Sequence, residues 1–345
     1  MATSPDGRNS ADRVVVFAGG FLAYSPIDPA TAQGGARILA AMQIEHGTRA
    51  DVVFRCPRDS SIPVRSEEVA DTTIVVAGDE RYDRELLHAC GVAGGGRLRC
   101  IARYGVGPGS IDIAAATEAG IVVSHAPEAH TVPAAEWAVS TLLDLAARRI
   151  PFHERAAEGR EADGVPRLDV SGRTLGLVGT APVGRAVVRL VAGFGLDVLA
   201  YDPSPDPVWA AKNGVTYADL HELCLLSDLI SVHLVGAGPV ISYRELDLMR
   251  PSAVLVDSTG TGATDARAAY RAVAERRIWG YGVDTVWPYP EMPLRSLNIT
   301  VAPGVAGETV RGRSAMQHAV AQAVVDVILG RVPFHAVNPE AAAVQ

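Results

Sequence analysis

The chain has 345 residues, of which 48% are hydrophobic and 20% charged, with a formal net charge of −8. That length suits two cores better than one, and the apolar share is far above that of a disordered protein. An acidic chain lacks the cationic surface that displaces counterions from phosphates, so no nucleic-acid partner is expected.

Residues Met1–Asp12 are polar and contain Pro5 and Gly7, without the charged start and apolar run of a signal peptide. They read as a disordered tail on a cytoplasmic protein. The apolar stretches fall short of the roughly 18 residues of a membrane span, so no membrane association is expected. Cys56, Cys90, Cys100 and Cys224 show no C-x-x-C spacing. They read as buried reduced thiols, with no metal site implied.

Short β-branched runs alternate with Ala-rich amphipathic stretches along the chain, the pattern of helices on both faces of a parallel sheet. The fold class is α/β. Strands are predicted at Val14–Phe17, Val52–Phe54, Thr73–Val76, Leu98–Arg103 and Ile121–Val123, with helices at Arg81–Ala89 and Ile113–Ala119. His130–Arg149 follows as one long helix with few polar positions, which predicts burial between domains or subunits and a homodimer. Glu154–Asp169 is charged and aperiodic, a surface connection. Six strands come next: Leu175–Val178, Val198–Tyr201, Leu229–Val232, Val254–Val256, Gly280–Val283 and Ile299–Val301. Six parallel strands match a dinucleotide-binding sheet. The last helix, Val310–Leu329, comes after that sheet and is free to return to the first domain.

The start of the second sheet carries a phosphate-site pattern. Gly179 and Gly184 hold the outer positions of G-x-G-x-x-G, and Ala181, Pro182 and Val183 lie between them. The first glycine permits a tight turn and the last lets helix and strand approach, while the helix start offers free N–H groups to a pyrophosphate. Ala181 replaces the middle glycine, which predicts a slightly displaced pyrophosphate. Asp202, at the end of the next strand, is placed to accept from the adenosine ribose and to repel a 2′-phosphate. The expected cofactor is NAD rather than NADP.

Several separated segments carry a family resemblance: Leu98–Gly107, Ile111–Ile121, Ala126-Pro127, Ala135-Glu136, Tyr201-Asp202-Pro203, Leu226-Ser227-Asp228 with His233, Met249–Ala253 and Gly282-Val283-Asp284. Together they resemble the D-isomer-specific 2-hydroxyacid dehydrogenases over about Arg13 to Arg331. The resemblance implies two Rossmann-like domains with a cleft between them. A substrate domain would comprise 13–125 plus 305–335, flavodoxin-like, and an NAD-binding domain 126–304. It also implies that Gly105, Val106 and Gly107 hold a substrate carboxylate through their backbone. His233, Thr259 and Asp284 would join the fingerprint residues around the cofactor.

In that family an Arg orients the 2-oxo acid, and a His held by a Glu exchanges a proton with the carbonyl oxygen. Here the N-x-x-R-G pattern reads Asp257-Ser258-Thr259-Gly260-Thr261-Gly262, with Gly260 at the arginine. D-V-F-x-x-E-P reads Asp284-Thr285-Val286-Trp287-Pro288-Tyr289-Pro290, with Tyr289 at the glutamate. P-H-x-x-G reads Pro303-Gly304-Val305-Ala306-Gly307, with Gly304 at the histidine. All three catalytic side chains are replaced.

His130, Tyr289 and Arg103 are the candidate substitutes. His130 takes the place of an asparagine that faces the nicotinamide in relatives, so it reads as a proton carrier or as a helix-start histidine. Tyr289 reads as a hydrogen-bond donor or as an aromatic filling the glutamate's volume. Arg103 serves either substrate or the order of the glycine loop. Arg81 reads as a substrate cation or a solvated charge, and Thr259 and Thr261 as ligands of nicotinamide or substrate or as strand-end residues. Three functions follow: a noncanonical NAD-dependent oxidoreductase acting on a small polar molecule, a non-redox enzyme (lyase, dehydratase or isomerase) retaining NAD, or a catalytically silent NAD-binding protein.

Overall fold

A computed structural model describes residues 12–22, 34–56, 61–161, 164–234, 238–260 and 262–345. The chain divides into two compact units, Met1–Ala129 with Val310–Gln345, and His130–Thr309. The divisions expected at 125/126 and 304/305 fall a few residues earlier. Of the expected tail, Asp12 begins a strand and residues 1–11 lie outside the described residues.

The first unit is built on strands β1 (Asp12–Val16), β2 (Ala50–Phe54), β3 (Ile74–Ala77), β4 (Cys100–Arg103) and β5 (Val122–Ser124). They run parallel in the order β2-β1-β3-β4-β5. Val14–Val16, Ile74–Ala77 and Cys100–Ala102 are buried, as in sheets covered on both faces. The final helix, Val310–Ile328, packs on the helix Gly34–Glu45 and on β3 and β4, which brings the C-terminus back to this unit. Beyond it the chain covers the open edge of β5. Ser124 forms an antiparallel bridge with Ala336, Val337 N donates to Val123 O at 2.8 Å, and Asn338 Oδ1 accepts from Val123 N at 2.7 Å. An edge tied down in this way no longer offers unpaired backbone groups to another chain.

The helix expected from Arg81 starts at Arg84. Asp83 stands just before it and accepts from Leu86 N at 3.1 Å, so the N-cap lies beyond Arg81, which stays outside the helix and exposed.

The second unit contains strands β6 (Thr174–Val178), β7 (Asp197–Tyr201), β8 (Val215–Tyr217), β9 (Leu229–Val232), β10 (Val254–Asp257), β11 (Gly280–Val283) and β12 (Ile299–Val301). The order β12-β11-β10-β9-β6-β7-β8 is parallel throughout and reverses direction at β6 and β9. Six strands were expected. The seventh, β8, is a three-residue edge strand after the left-handed Gly214 (φ 66°), too short to show a period.

The helix expected over His130–Arg149 runs over Thr131–Ala146, and a second helix, Arg149–Ala157, follows it after Arg148 in a left-handed conformation (φ 51°, ψ 41°). Pro151 explains the break: in a continuous helix it would lack the N–H for Ala147 O and its ring would press on that carbonyl. After the break the proline falls in a first turn, where no such bond is needed. The second helix also takes the start of the segment expected to be an aperiodic connection. Ala135, Ala138, Thr141, Leu142, Leu145 and Ala146 face their own unit, against the helix Pro182–Val191 and strands β10 and β11. The apolar content that suggested self-association is therefore largely covered within the chain, leaving Val132 and Ile150 exposed.

The cysteines carry no disulfide, and burial pushes the thiols of Cys100 and Cys224 up to about 12. Among the described residues no helix is long and apolar enough to cross a membrane.

Candidate nucleotide and proton-transfer site

In the second unit the chain leaves β6 through Gly179, whose φ of +100° is open to glycine alone. A Cβ there would stand 2.7 Å from Leu234 N, and one on Gly184 would overlap Gly179 O. Turn, helix and the end of β9 are therefore in mutual contact at the point where the strand order reverses. The helix Pro182–Val191 starts with Pro182 in its first turn, and its N-cap, Ala181, makes no side-chain cap. Its leading N–H groups stay available for an anion. Ala181 is extended (φ −66°, ψ 176°), so the missing middle glycine costs no backbone strain. This cradle fits a dinucleotide pyrophosphate.

At the end of β7, Asp202 Oδ2 accepts from Thr180 N at 2.7 Å and Thr180 Oγ1 at 2.9 Å, and Oδ1 accepts from Ser204 N at 2.9 Å. Burial by itself raises this carboxyl, but those donors and nearby Arg185 outweigh it and hold Asp202 below the usual carboxylate range. The residue is ionised wherever the protein works.

His233 was expected at the cofactor. Its ring is buried, with Nε2 2.8 Å from Ser231 Oγ and Nδ1 2.8 Å from Ser258 Oγ. Desolvation lowers it to about 3, so it is a neutral structural ring whose two nitrogens are both occupied inside the protein. Thr259 directs its hydroxyl to Asp257 Oδ1 at 2.7 Å, and Thr261 lies outside the described residues. Asp257, fully buried, also accepts from Thr259 N and Thr264 N at 2.9 and 2.8 Å. It anchors the 258–264 loop. Asp284 does the same for a second loop, accepting from Val305 N and Ala306 N, both at 2.7 Å. Asp284, expected beside the nicotinamide, is observed in a backbone role, with an N–H donor on each of its oxygens.

Gly260 and Gly304, set by the resemblance against the family's arginine and histidine, have φ +66° and +74°. A Cβ on Gly304 would meet nothing within 4 Å, and one on Gly260 only Asp284 O at 3.3 Å. His130 packs with the Nδ1 edge of its ring against Gly307, in the space a side chain at 307 would need. Desolvation lowers this imidazole from its ordinary value, opposed by the charge of Glu308. Tyr289 stacks edge-on to Trp287 at 5.7 Å, and the Arg267 guanidinium lies 4.5 Å from its ring centroid. These contacts match the volume-filling reading.

In the first unit, Arg103 lies inside the glycine loop that follows β4. It donates to Gly107 O at 2.8 Å and Asp79 Oδ1 at 2.6 Å, and side chains at Gly105 or Gly109 would collide with its guanidinium. Ala126 N donates to Gly105 O at 2.9 Å and His125 Nδ1 to Val106 O at 3.0 Å. All three carbonyls of Gly105, Val106 and Gly107 are thereby held from behind, while among the described residues the N–H groups of Val106 and Gly107 have no acceptor. Such a pair of free N–H groups suits a carboxylate. Arg103 orders this loop through its two terminal nitrogens, while its buried Nε has no partner among the described residues.

Sequence reasoning missed Thr180, Tyr217, Asp257 and His125. The Asp-Ser-Thr run after β10 was a usable turn signal for Asp257, whereas the others depend on partners far away in the chain.

Comparison with known proteins agrees with this geometry. The family model for the D-isomer specific 2-hydroxyacid dehydrogenase NAD-binding domain matches residues 139–305. A glyoxylate reductase of Korarchaeum cryptofilum is 32% identical over 256 residues, covering 71% of this chain and 77% of that protein. A D-3-phosphoglycerate dehydrogenase of Methanocaldococcus jannaschii is also 32% identical, over 79% of this chain, which spans about half (53%) of that longer protein. The apo-structure of D-lactate dehydrogenase from Escherichia coli shares the fold, with a TM-score of 0.73 at 20% identity, over 94% of this chain and 99% of its own. The relatives are oxidoreductases, and NAD is the cofactor of the matched domain. By these matches the chain belongs to the D-isomer-specific 2-hydroxyacid dehydrogenase family.

Proposed function

We propose that this protein is an NAD-dependent oxidoreductase of a small polar substrate in which His130 has taken over proton transfer from the family's histidine. The observation that carries this reading is the seating of the His130 ring against Gly307, in the same short loop that has a glycine at 304. Hydride transfer to or from a carbon bearing oxygen requires a proton to move at that oxygen, and glycine cannot carry one. When bound, NAD supplies the hydride chemistry. The second unit supplies the imidazole of His130; the first, taken by itself, offers the N–H pair of Val106 and Gly107, without acceptors among the described residues, to an anionic group. The names of the relatives, glyoxylate reductase among them, support a small oxygenated substrate. The packing of Tyr289 supports a scaffold role for that residue, and the engagement of Arg103 with Gly107 and Asp79 supports the same for it.

The direction of the His130 shift makes the reading testable. Because its value lies below the ordinary one, the neutral ring prevails at neutral pH. Oxidation of a hydroxy substrate, which needs a proton acceptor, then proceeds fully above the ordinary histidine range and falls as pH drops through the lowered value. Reduction shows the opposite limb. The test is nicotinamide absorbance during incubation with panels of small hydroxy and oxo acids, for the parent and His130→Ala across pH. The variant should lose about 100-fold or more in kcat, and the acid limb with it. Robust turnover of a common 2-oxo acid at neutral pH, unchanged in His130→Ala, would overturn the proposal.

A further inference from the structure

Counting protons fixes the direction of a hydrogen-bond chain at the ribose end of the nucleotide site. The hydroxyl oxygen of Tyr217, at the end of β8, lies 3.0 Å from Asp206 N and 2.9 Å from Thr180 Oγ1. A backbone N–H donates only, so Asp206 takes a lone pair of the tyrosine oxygen and leaves the phenolic proton available. Asp202 Oδ2, being ionised, accepts only, so Thr180 directs its one hydroxyl proton there. The bond between Tyr217 and Thr180 then has a single solution, with tyrosine donating. The chain runs from Asp206 N–H through Tyr217 O–H and Thr180 O–H to Asp202 Oδ2, each bond polarising the next.

The same count limits what Asp202 has left to offer. Its Oδ2 receives both the N–H and the hydroxyl of Thr180, and its Oδ1 receives Ser204 N. Of about four lone-pair positions on a carboxylate, the one that remains is on Oδ1. Arg185, the nearby cation that could neutralise a 2′-phosphate, is also held. Its Nε donates to Thr180 O at 2.8 Å, one terminal nitrogen lies 2.9 Å from Asp206 Oδ2, and the guanidinium rests 4.8 Å from the Trp209 ring centroid. Asp206 links the two halves, since its backbone starts the chain to Asp202 and its carboxylate restrains Arg185.

We propose that Tyr217 is a positioning residue for cofactor selection: acting through Thr180, it holds Asp202 with one open acceptor on Oδ1, which takes a ribose hydroxyl and refuses a 2′-phosphate. A free 2′-hydroxyl has a proton for that acceptor. A phosphate at the same position has none and meets like charge. Thr180 fits this role because it delivers two donors from one residue, and Tyr217 because it leaves the threonine hydroxyl a single productive orientation.

The experiment is calorimetric titration of the full chain with NAD and, separately, NADP, for the parent, Tyr217→Phe, Thr180→Val and Thr180→Ser, with melting temperatures recorded in parallel. Tyr217→Phe should weaken NAD binding about three- to ten-fold, the factor for one hydrogen bond, without weakening NADP equally, so that the preference narrows. Thr180→Val should narrow it at least as much, whereas Thr180→Ser, which keeps the hydroxyl, should retain it. An unchanged NAD-to-NADP ratio in Tyr217→Phe, whether both affinities hold or both fall together, would overturn the proposal. If Tyr217→Phe does not fold, the threonine pair decides: equal ratios for Thr180→Val and Thr180→Ser would overturn it as well.

Discussion

Two pairs of glycines in the second unit answer opposite constraints. At Gly179 and Gly184 a side chain has no room, because Leu234 N or Gly179 O already occupies the position of its Cβ. At Gly260 and Gly304 there is room, with nothing nearer than 3.3 Å, but the backbone is left-handed at both. The first pair is demanded by packing, reinforced at Gly179 by its φ of +100°, and the second by conformation alone. One residue type thus marks a packed turn in one place and an open, left-handed loop in another. The carboxylates differ as well: Asp202 keeps one acceptor position open on Oδ1, while Asp257 and Asp284 direct theirs to backbone N–H groups of the loops that carry Gly260 and Gly304.

The largest expected effect breaks the packed pair. Gly179→Val combines a forbidden φ of +100° with a Cβ 2.7 Å from Leu234 N, so NAD binding should fall about 100-fold or more, with a stability loss of several kcal/mol. Titration calorimetry and urea unfolding read both. NAD binding within a few-fold of the parent would mean the turn tolerates what the contacts forbid.

A smaller effect sharpens the account of His233, which lies behind the packed turn. Its folded value near 3 is below that of an unfolded histidine, so the unfolded chain binds a proton that the native protein does not. The stability it carries is present above about 6.5 and declines as pH falls toward the folded value, with a slope of about 1.4 kcal/mol per pH unit. In His233→Gln the slope of unfolding free energy against pH in that window should flatten by about that amount, whatever the variant's absolute stability. An unaltered slope would assign the acid sensitivity to other groups.

The smallest effect concerns the open pair. Gly304→His places a side chain in free space on a left-handed backbone, at a cost of about 1–2 kcal/mol. The variant should fold and melt earlier without acquiring reduction of common 2-oxo acids. If that one change produced vigorous reduction, the loop would be an intact family site lacking a single side chain.

Much of this was legible in the chain. Alternation of β-branched runs with amphipathic stretches located every strand but β8, because strands buried on both faces must be continuously apolar. The glycine spacing and Asp202 were legible because a tight turn and a ribose carboxylate impose local requirements. The end of the long helix was legible ahead of Pro151, whereas the second helix, Arg149–Ala157, was not, because its charged sequence shows no apolar period. What stayed hidden was partnership: Tyr217 with Thr180, His130 with Gly307, His125 with Val106, Asp284 with Val305 and Ala306. None of these pairs has a sequence period, since each joins elements brought together by the sheet order.

The sequence by itself determined the α/β class, the parallel sheets, the nucleotide cradle and the family, because burial periodicity and backbone sterics act over a few residues at a time. Only the tertiary structure decided which polar groups remain available. It directed the terminal nitrogens of Arg103 to a loop and an aspartate, both ring nitrogens of His233 to serines, and both oxygens of Asp284 to backbone N–H groups, while leaving the N–H groups of Val106 and Gly107 without acceptors among the described residues. The physical reason is that a hydrogen-bonding group has few donor or acceptor positions, and whether an interior partner has filled them depends on which distant segments the fold brings within about 3 Å.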